Sequence, residues 1–138
     1  MRKLFHILLL GIGALVFSTA ALARGTVPVM NVENMEATNL GDKPLTAEQV
    51  SKAVSSALSA RGWSAQKAEG NKIRATYTRG SHSATISVTY TAKAYSIQYL
   101  DSSNLKYSQD KGAGTIHPTY NSWIKNLKTG IDTNLRSF

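Results

Sequence analysis

The hydrophobic period of this chain changes twice between residues 45 and 135, and a chain with that pattern cannot fold as a bundle or as a pure sheet. Val50, Ala53, Val54, Ala57 and Leu58 recur at helical spacing, with Glu48, Ser51, Lys52, Ser55, Ser56 and Ser59 mostly on the other side. Thr46 is a good cap, Gln49 can close the capping box, and Leu45 and Val50 hold the hydrophobic-staple positions, so a helix should begin at Ala47. Gly62 supplies a left-handed stop, with Trp63 placed to fold back over the last turn.

After Trp63 the period becomes two. Trp63, Ala65 and Lys67 form a weak first strand, and after the turn Glu69-Gly70-Asn71, Ile73, Ala75 and Tyr77 alternate with Arg74, Thr76 and Thr78. Past Arg79-Gly80-Ser81 the pattern is cleanest: Ala84, Ile86, Val88 and Tyr90 alternate with Thr85, Ser87 and Thr89, and Tyr95, Ile97 and Tyr99 continue it opposite Ser96 and Gln98. Short connections make this an antiparallel meander with one apolar face and one wet face rich in Thr and Ser. The apolar face needs a second layer. Pro118 suits the first position of a helix, and Tyr120, Ile124, Leu127, Ile131 and Leu135 then form a stripe that Trp123 broadens. Gly130 costs about 1 kcal/mol in a helix interior, which points to a bend or a close helix contact. The expected fold is a two-layer α+β domain over residues 45–138, a three- to four-stranded antiparallel meander with an N-terminal and a C-terminal helix packed on one face. Residues 24–44 read as an extended arm with at most one edge strand.

Residues 1–23 read as an export signal. Arg2 and Lys3 precede the apolar run Ile7 to Phe17, and Ala21-Leu22-Ala23 is an A-x-A cleavage pattern. The apolar run is too short for a membrane span in the mature protein. Cleavage after Ala23 leaves 115 residues with 14 basic and 8 acidic side chains, which places the mature protein in the periplasm or outside the cell. A chain of this size can fold without covalent staples. It contains no cysteine, so disulfides, zinc thiolates, a Cys nucleophile and a lipidated Cys are all excluded. Its basic residues, among them Arg61, Lys67, Lys72, Arg74, Arg79, Lys93, Lys106, Lys111, Lys125 and Lys128, are scattered, with no nucleic-acid motif. The expected partners are an envelope protein or an anionic envelope component, not nucleic acid.

Polar chemistry concentrates in Asp101-Ser102-Ser103-Asn104-Leu105-Lys106-Tyr107 and Ile116-His117-Pro118-Thr119-Tyr120-Asn121-Ser122-Trp123. Asp101, Ser102 and His117 are the residue types of a hydrolytic triad, but no G-x-S-x-G elbow accompanies them. As turn formers and a helix cap, the same residues serve structure. His82 and His117 lie in different loops without a carboxylate pair or thiolate, so neither a metal nor another cofactor is expected. A ligand site is easier to assemble: Tyr99, Asp101, Asn104, His117, Tyr120 and Asn121 combine aromatic faces with amides, which suits a sugar or peptide ligand.

These two segments, with Leu45-Thr46, Arg61-Gly62-Trp63 and Ile73-Arg74-Ala75-Thr76, resemble a family of small exported proteobacterial proteins, many described only as lipoproteins. The resemblance spans roughly residues 45 to 135 and is tightest in the signatures D-S-x-N-L-x-Y and I-H-x-x-Y-N-x-W-I-x-N-L. It implies a single exported domain in which the two polar segments act together, and it brings no activity with it. Two features depart from the family: there is no Cys after the signal to carry a lipid, and Ser108 to Thr115 is somewhat longer than usual. The function expected is a soluble, non-enzymatic envelope domain that binds or supports another component; the alternatives are a small-ligand or glycan-binding module, then a hydrolase.

Overall fold

A computed structural model describes residues 25–110, 112 and 114–138; the segment read from sequence as an export signal, residues 1–23, and Lys111 lie outside the described residues. The elements run β1 (Val27–Pro28), β2 (Val32–Glu36), α1 (Ala47–Ala60), β3 (Ser64–Ala68), β4 (Lys72–Arg79), β5 (His82–Tyr90), β6 (Ala94–Ser103), β7 (Thr115–Ile116) and α2 (Pro118–Leu135). β3 to β6 form an antiparallel meander, and β2 pairs with β6 to complete a five-stranded sheet of order β2-β6-β5-β4-β3. β1 and β7 make a separate two-stranded ribbon.

The strand count thus exceeds the three to four read from the pattern, because the segment taken as an arm enters the sheet. Val32-Glu33-Asn34-Met35-Glu36 hides this: its pairing with β6 is interrupted between Val32 and Met35, and Asn34 adopts φ 47°. Its apolar residues therefore lack the even alternation of a regular strand. Val29 and Val32 are nonetheless buried in the same core as the helices.

α1 begins and ends on local chemistry. The Gln49 N–H donates to Thr46 Oγ1 at 3.1 Å, and the Thr46 N–H donates to Gln49 Oε1 at 3.0 Å, a complete capping box. At the other end Gly62 sits at φ 84°, its N–H donates to the Ser59 carbonyl, and the Trp63 N–H reaches back to the Leu58 carbonyl at 2.9 Å. Replacing Thr46 by Ala should cost about 1 kcal/mol. Urea unfolding should show this as a lower midpoint with an unchanged slope; an unchanged midpoint would count against the cap.

α2 starts at Pro118 and buries Tyr120, Trp123, Ile124, Leu127, Ile131 and Leu135. The helices were expected to pack on one face of the meander; the packing differs in that their backbones lie closer to each other than that reading implied, while both still share a core with the sheet. Gly130 is the reason: a Cβ there would stand 3.3 Å from the Ala57 Cβ, and the neighbouring Asn134 Nδ2 donates to the Ala53 carbonyl at 3.0 Å. Small residues on both helices allow this approach. The core they share with the sheet includes Ile73, Ala75, Ile86, Val88, Tyr95 and Ile97. On the outer face Thr76 and Thr85 join hydroxyls at 3.0 Å, and Arg74 and Gln98 flank Ser87 across the strands. Among the described residues no helix is long and apolar enough to cross a membrane.

Candidate functional site

The site begins with an extra residue in β6. Ile86 pairs with Tyr99, but Thr85 pairs with Asp101, so Leu100 is inserted as a bulge. A bulge reverses the alternation that follows it. Tyr99 and Ser102 consequently share the inner face, with their hydroxyls 2.7 Å apart, while Asp101 falls on the outer face beside Thr85. The Tyr99 N–H donates to Asn31 Oδ1 at 3.1 Å, so the N-terminal segment supports the bulge.

Beyond β6 the chain turns sharply. Asn104 and Lys106 both adopt left-handed backbone, at φ 57° and 53°, a conformation Asn tolerates and Lys rarely adopts. Between them Leu105 is buried, 1% exposed. The strain is held by three bonds of 2.8 Å: Asn104 Nδ2 to the Ser81 carbonyl, His82 Nδ1 to the Asn104 carbonyl and the His117 N–H to the Leu105 carbonyl. Ser108 and Thr115 then exchange backbone hydrogen bonds, closing the loop. Gly114 has no substitute there, since a Cβ would lie 2.9 Å from the Ser108 carbonyl oxygen and 3.0 Å from the Tyr107 ring.

This path lays Tyr107 on Tyr99, ring centres 4.2 Å apart and 24° from parallel, and Tyr99 meets Tyr120 edge-on at 5.7 Å. Beside the stacked pair opens a concavity of about 600 Å³, rimmed by Asp101, Ser102, Asn104, Lys106 and Gln109. Burial pushes the Tyr99 hydroxyl above its ordinary value near 10 and pushes that of Tyr120 much further.

Of the residues proposed from sequence, Tyr99, Asp101 and Asn104 line this concavity. Tyr120 does not; it is fully buried, and its hydroxyl has no hydrogen-bond partner. His117 caps α2, with Nδ1 accepting from the Thr119 N–H at 3.1 Å. Asn121 clamps the N-terminal segment, accepting from the Met30 N–H and donating to the Pro28 carbonyl, each at 2.9 Å. The triad types are likewise dispersed in role: Ser102 bonds Tyr99, its N–H meets Asp101 Oδ1 at 2.9 Å, and His117 Nδ1 is occupied by its own helix. Lys106 and Gln109 were missed, because what brings them to the rim is the turn around buried Leu105, and neither has a sequence signal. Comparison of the chain with known protein families, curated proteins and solved structures finds no match.

Proposed function

We propose that the protein is an exported, non-enzymatic domain of the bacterial envelope that binds another envelope component, a hydroxyl-rich chain such as a glycan, in the concavity at the end of β6. The observation that carries this reading is the stacked Tyr99–Tyr107 wall facing a rim of Asp101, Asn104, Lys106 and Gln109. An aromatic wall takes the apolar face of a sugar ring, and amides with one charge of each sign fix its hydroxyls. The loop is already pinned by its hydrogen bonds to Ser81, His82 and His117, so binding would order little. The leader pattern of residues 1–23 supports export.

Glycan-array screening followed by ligand-observed NMR with the purified protein tests the binding. A hit should weaken about tenfold, roughly 1.4 kcal/mol, in Tyr107→Ala. Binding that is absent from the array, or unaffected by Tyr107→Ala, overturns the site, and fractionation that finds the protein only in the cytoplasm removes the export premise.

A further inference from the structure

A second cleft, independent of the first, opens between the C-terminal end of α1, the end of β4 and the first turns of α2. Its walls are Trp63, Tyr77 and Trp123, its rim is Arg61, Arg79 and Asn126, and its volume is about 170 Å³. The stop signal of α1 places Trp63 directly after Gly62, and a Cβ on Gly62 would stand 3.3 Å from the Tyr77 ring. Tyr77 is the middle ring, 5.3 Å from Trp63 at 37° and 4.7 Å from Trp123 at 70°. Both indoles are largely buried, whereas Tyr77 remains half-buried.

Two cations from different elements meet at this aromatic wall. Arg79 follows Tyr77 by two positions in β4, so the two side chains leave the same face of the strand. Arg61 caps α1, and its Nε lies 3.8 Å from where a Cβ on Gly130 would be, an ordinary contact distance that sets the arginine beside α2. No acidic residue lines the cleft. Among the described residues the one ion pair is Lys128–Asp132, and neither guanidinium has a hydrogen-bond partner. Two guanidinium forks without a counter-charge, lining one cleft with three aromatic rings, form a receptor for a planar anion attached to an apolar face.

We infer that this cleft is a separate binding site for an acidic saccharide, taking one carboxylate-bearing sugar ring. The carboxylate pairs with Arg61 and Arg79, the ring lies against Tyr77 and the indole edges, and Asn126 bonds a hydroxyl. The room favours a sugar over an acidic peptide: the cleft is smaller than a drug-sized pocket and takes one ring-sized group. A peptide would instead need a free sheet edge or a helix groove running past several residues.

The chain has two tryptophans, and both line this cleft, so intrinsic tryptophan fluorescence reports on it directly. Titration with tetragalacturonate should change that fluorescence saturably, less so at high salt, and a neutral galactose tetramer should not. Arg61→Gln and Arg79→Gln should each weaken the response by about tenfold or more. Arg79→Lys, which keeps the charge but loses the fork, should fall between. Lys125→Gln, outside the cleft, and Tyr107→Ala, in the other site, should titrate like the parent. Both arginines are exposed, and thermal unfolding checks that each variant is folded; if one is not, the other carries the test. A flat titration, an equal response to the neutral tetramer, tighter binding of a tetraglutamate peptide, or arginine variants that bind like the parent each overturn the assignment.

Discussion

Leu105→Ala should cost about 2–5 kcal/mol of stability and abolish binding at the β6 concavity. Leu105 is 1% exposed, and it enters the core from a loop whose flanking residues, Asn104 and Lys106, are both left-handed. Left-handed backbone at a lysine is unfavourable by itself, of order 1–2 kcal/mol. The burial of Leu105 and the bonds to Ser81, His82 and His117 are what offset it. Truncating the leucine removes the apolar part of this support, and the loop should relax away from Tyr99, taking Tyr107 with it. Leu100→Ala is the matched control: Leu100 is the bulged residue and 44% exposed, so its truncation should change stability by no more than about 0.5 kcal/mol. Urea unfolding of the two variants decides the matter. A Leu105→Ala protein as stable as Leu100→Ala would mean that the loop is held by its hydrogen bonds alone.

Stability should also collapse at alkaline pH. Tyr95 is fully buried, and burial together with the hydrogen bond it donates to Asp132 Oδ1 at 2.6 Å and the negative charge of that carboxylate raises its ionisation well above the ordinary value near 10. Burial does the same to Tyr120. Both groups hold their protons more tightly when folded than when unfolded. Their contribution is therefore fully present below pH 10, and it is lost as pH rises above the unfolded value, because there only the unfolded state releases protons. Each tyrosine should contribute a fall of about 1.4 kcal/mol per pH unit, and the pair about twice that. Urea midpoints measured from pH 8 upward should be level and then drop steeply above pH 10. Tyr120→Phe should lower the slope by about one tyrosine's share, ~1.4 kcal/mol per pH unit. It also removes a buried hydroxyl that has no partner, so it should not destabilise the protein at neutral pH. A midpoint that stays level beyond pH 11 would contradict this account.

How much of this was legible beforehand depended on the range of the interaction. The limits of α1 were readable because the Thr46–Gln49 box and the Gly62 stop are contacts within one helical turn of each end. The stripe of α2 was readable for the same reason, since Tyr120, Ile124, Leu127, Ile131 and Leu135 are brought together by helical geometry alone. β2 was only half readable, because its irregular pairing at Asn34 removed the alternation by which a strand is recognised. For the candidate site, residue type singled out Tyr99, Asp101 and Asn104, which line the concavity, but could not separate them from Tyr120, His117 and Asn121. Those three hold the core, the helix cap and the N-terminal segment.

By itself the amino-acid order determined an α+β chain, the two helices with their ends, the strands of the meander and the impossibility of any thiol chemistry. These follow from periodicity, capping and composition, all of which act between near neighbours or need no geometry at all. Only the tertiary structure decided the fifth strand, the contact of helix on helix and the two clefts. A bulge at Leu100 turns Asp101 away from Ser102, and a leucine in the core drags Lys106 and Tyr107 to a rim. Arg61 and Arg79, eighteen positions apart among scattered basic residues, reach one aromatic wall because the end of α1 and the end of β4 both come to the first turns of α2. Such placements depend on which distant segments pack together, and no local pattern encodes that.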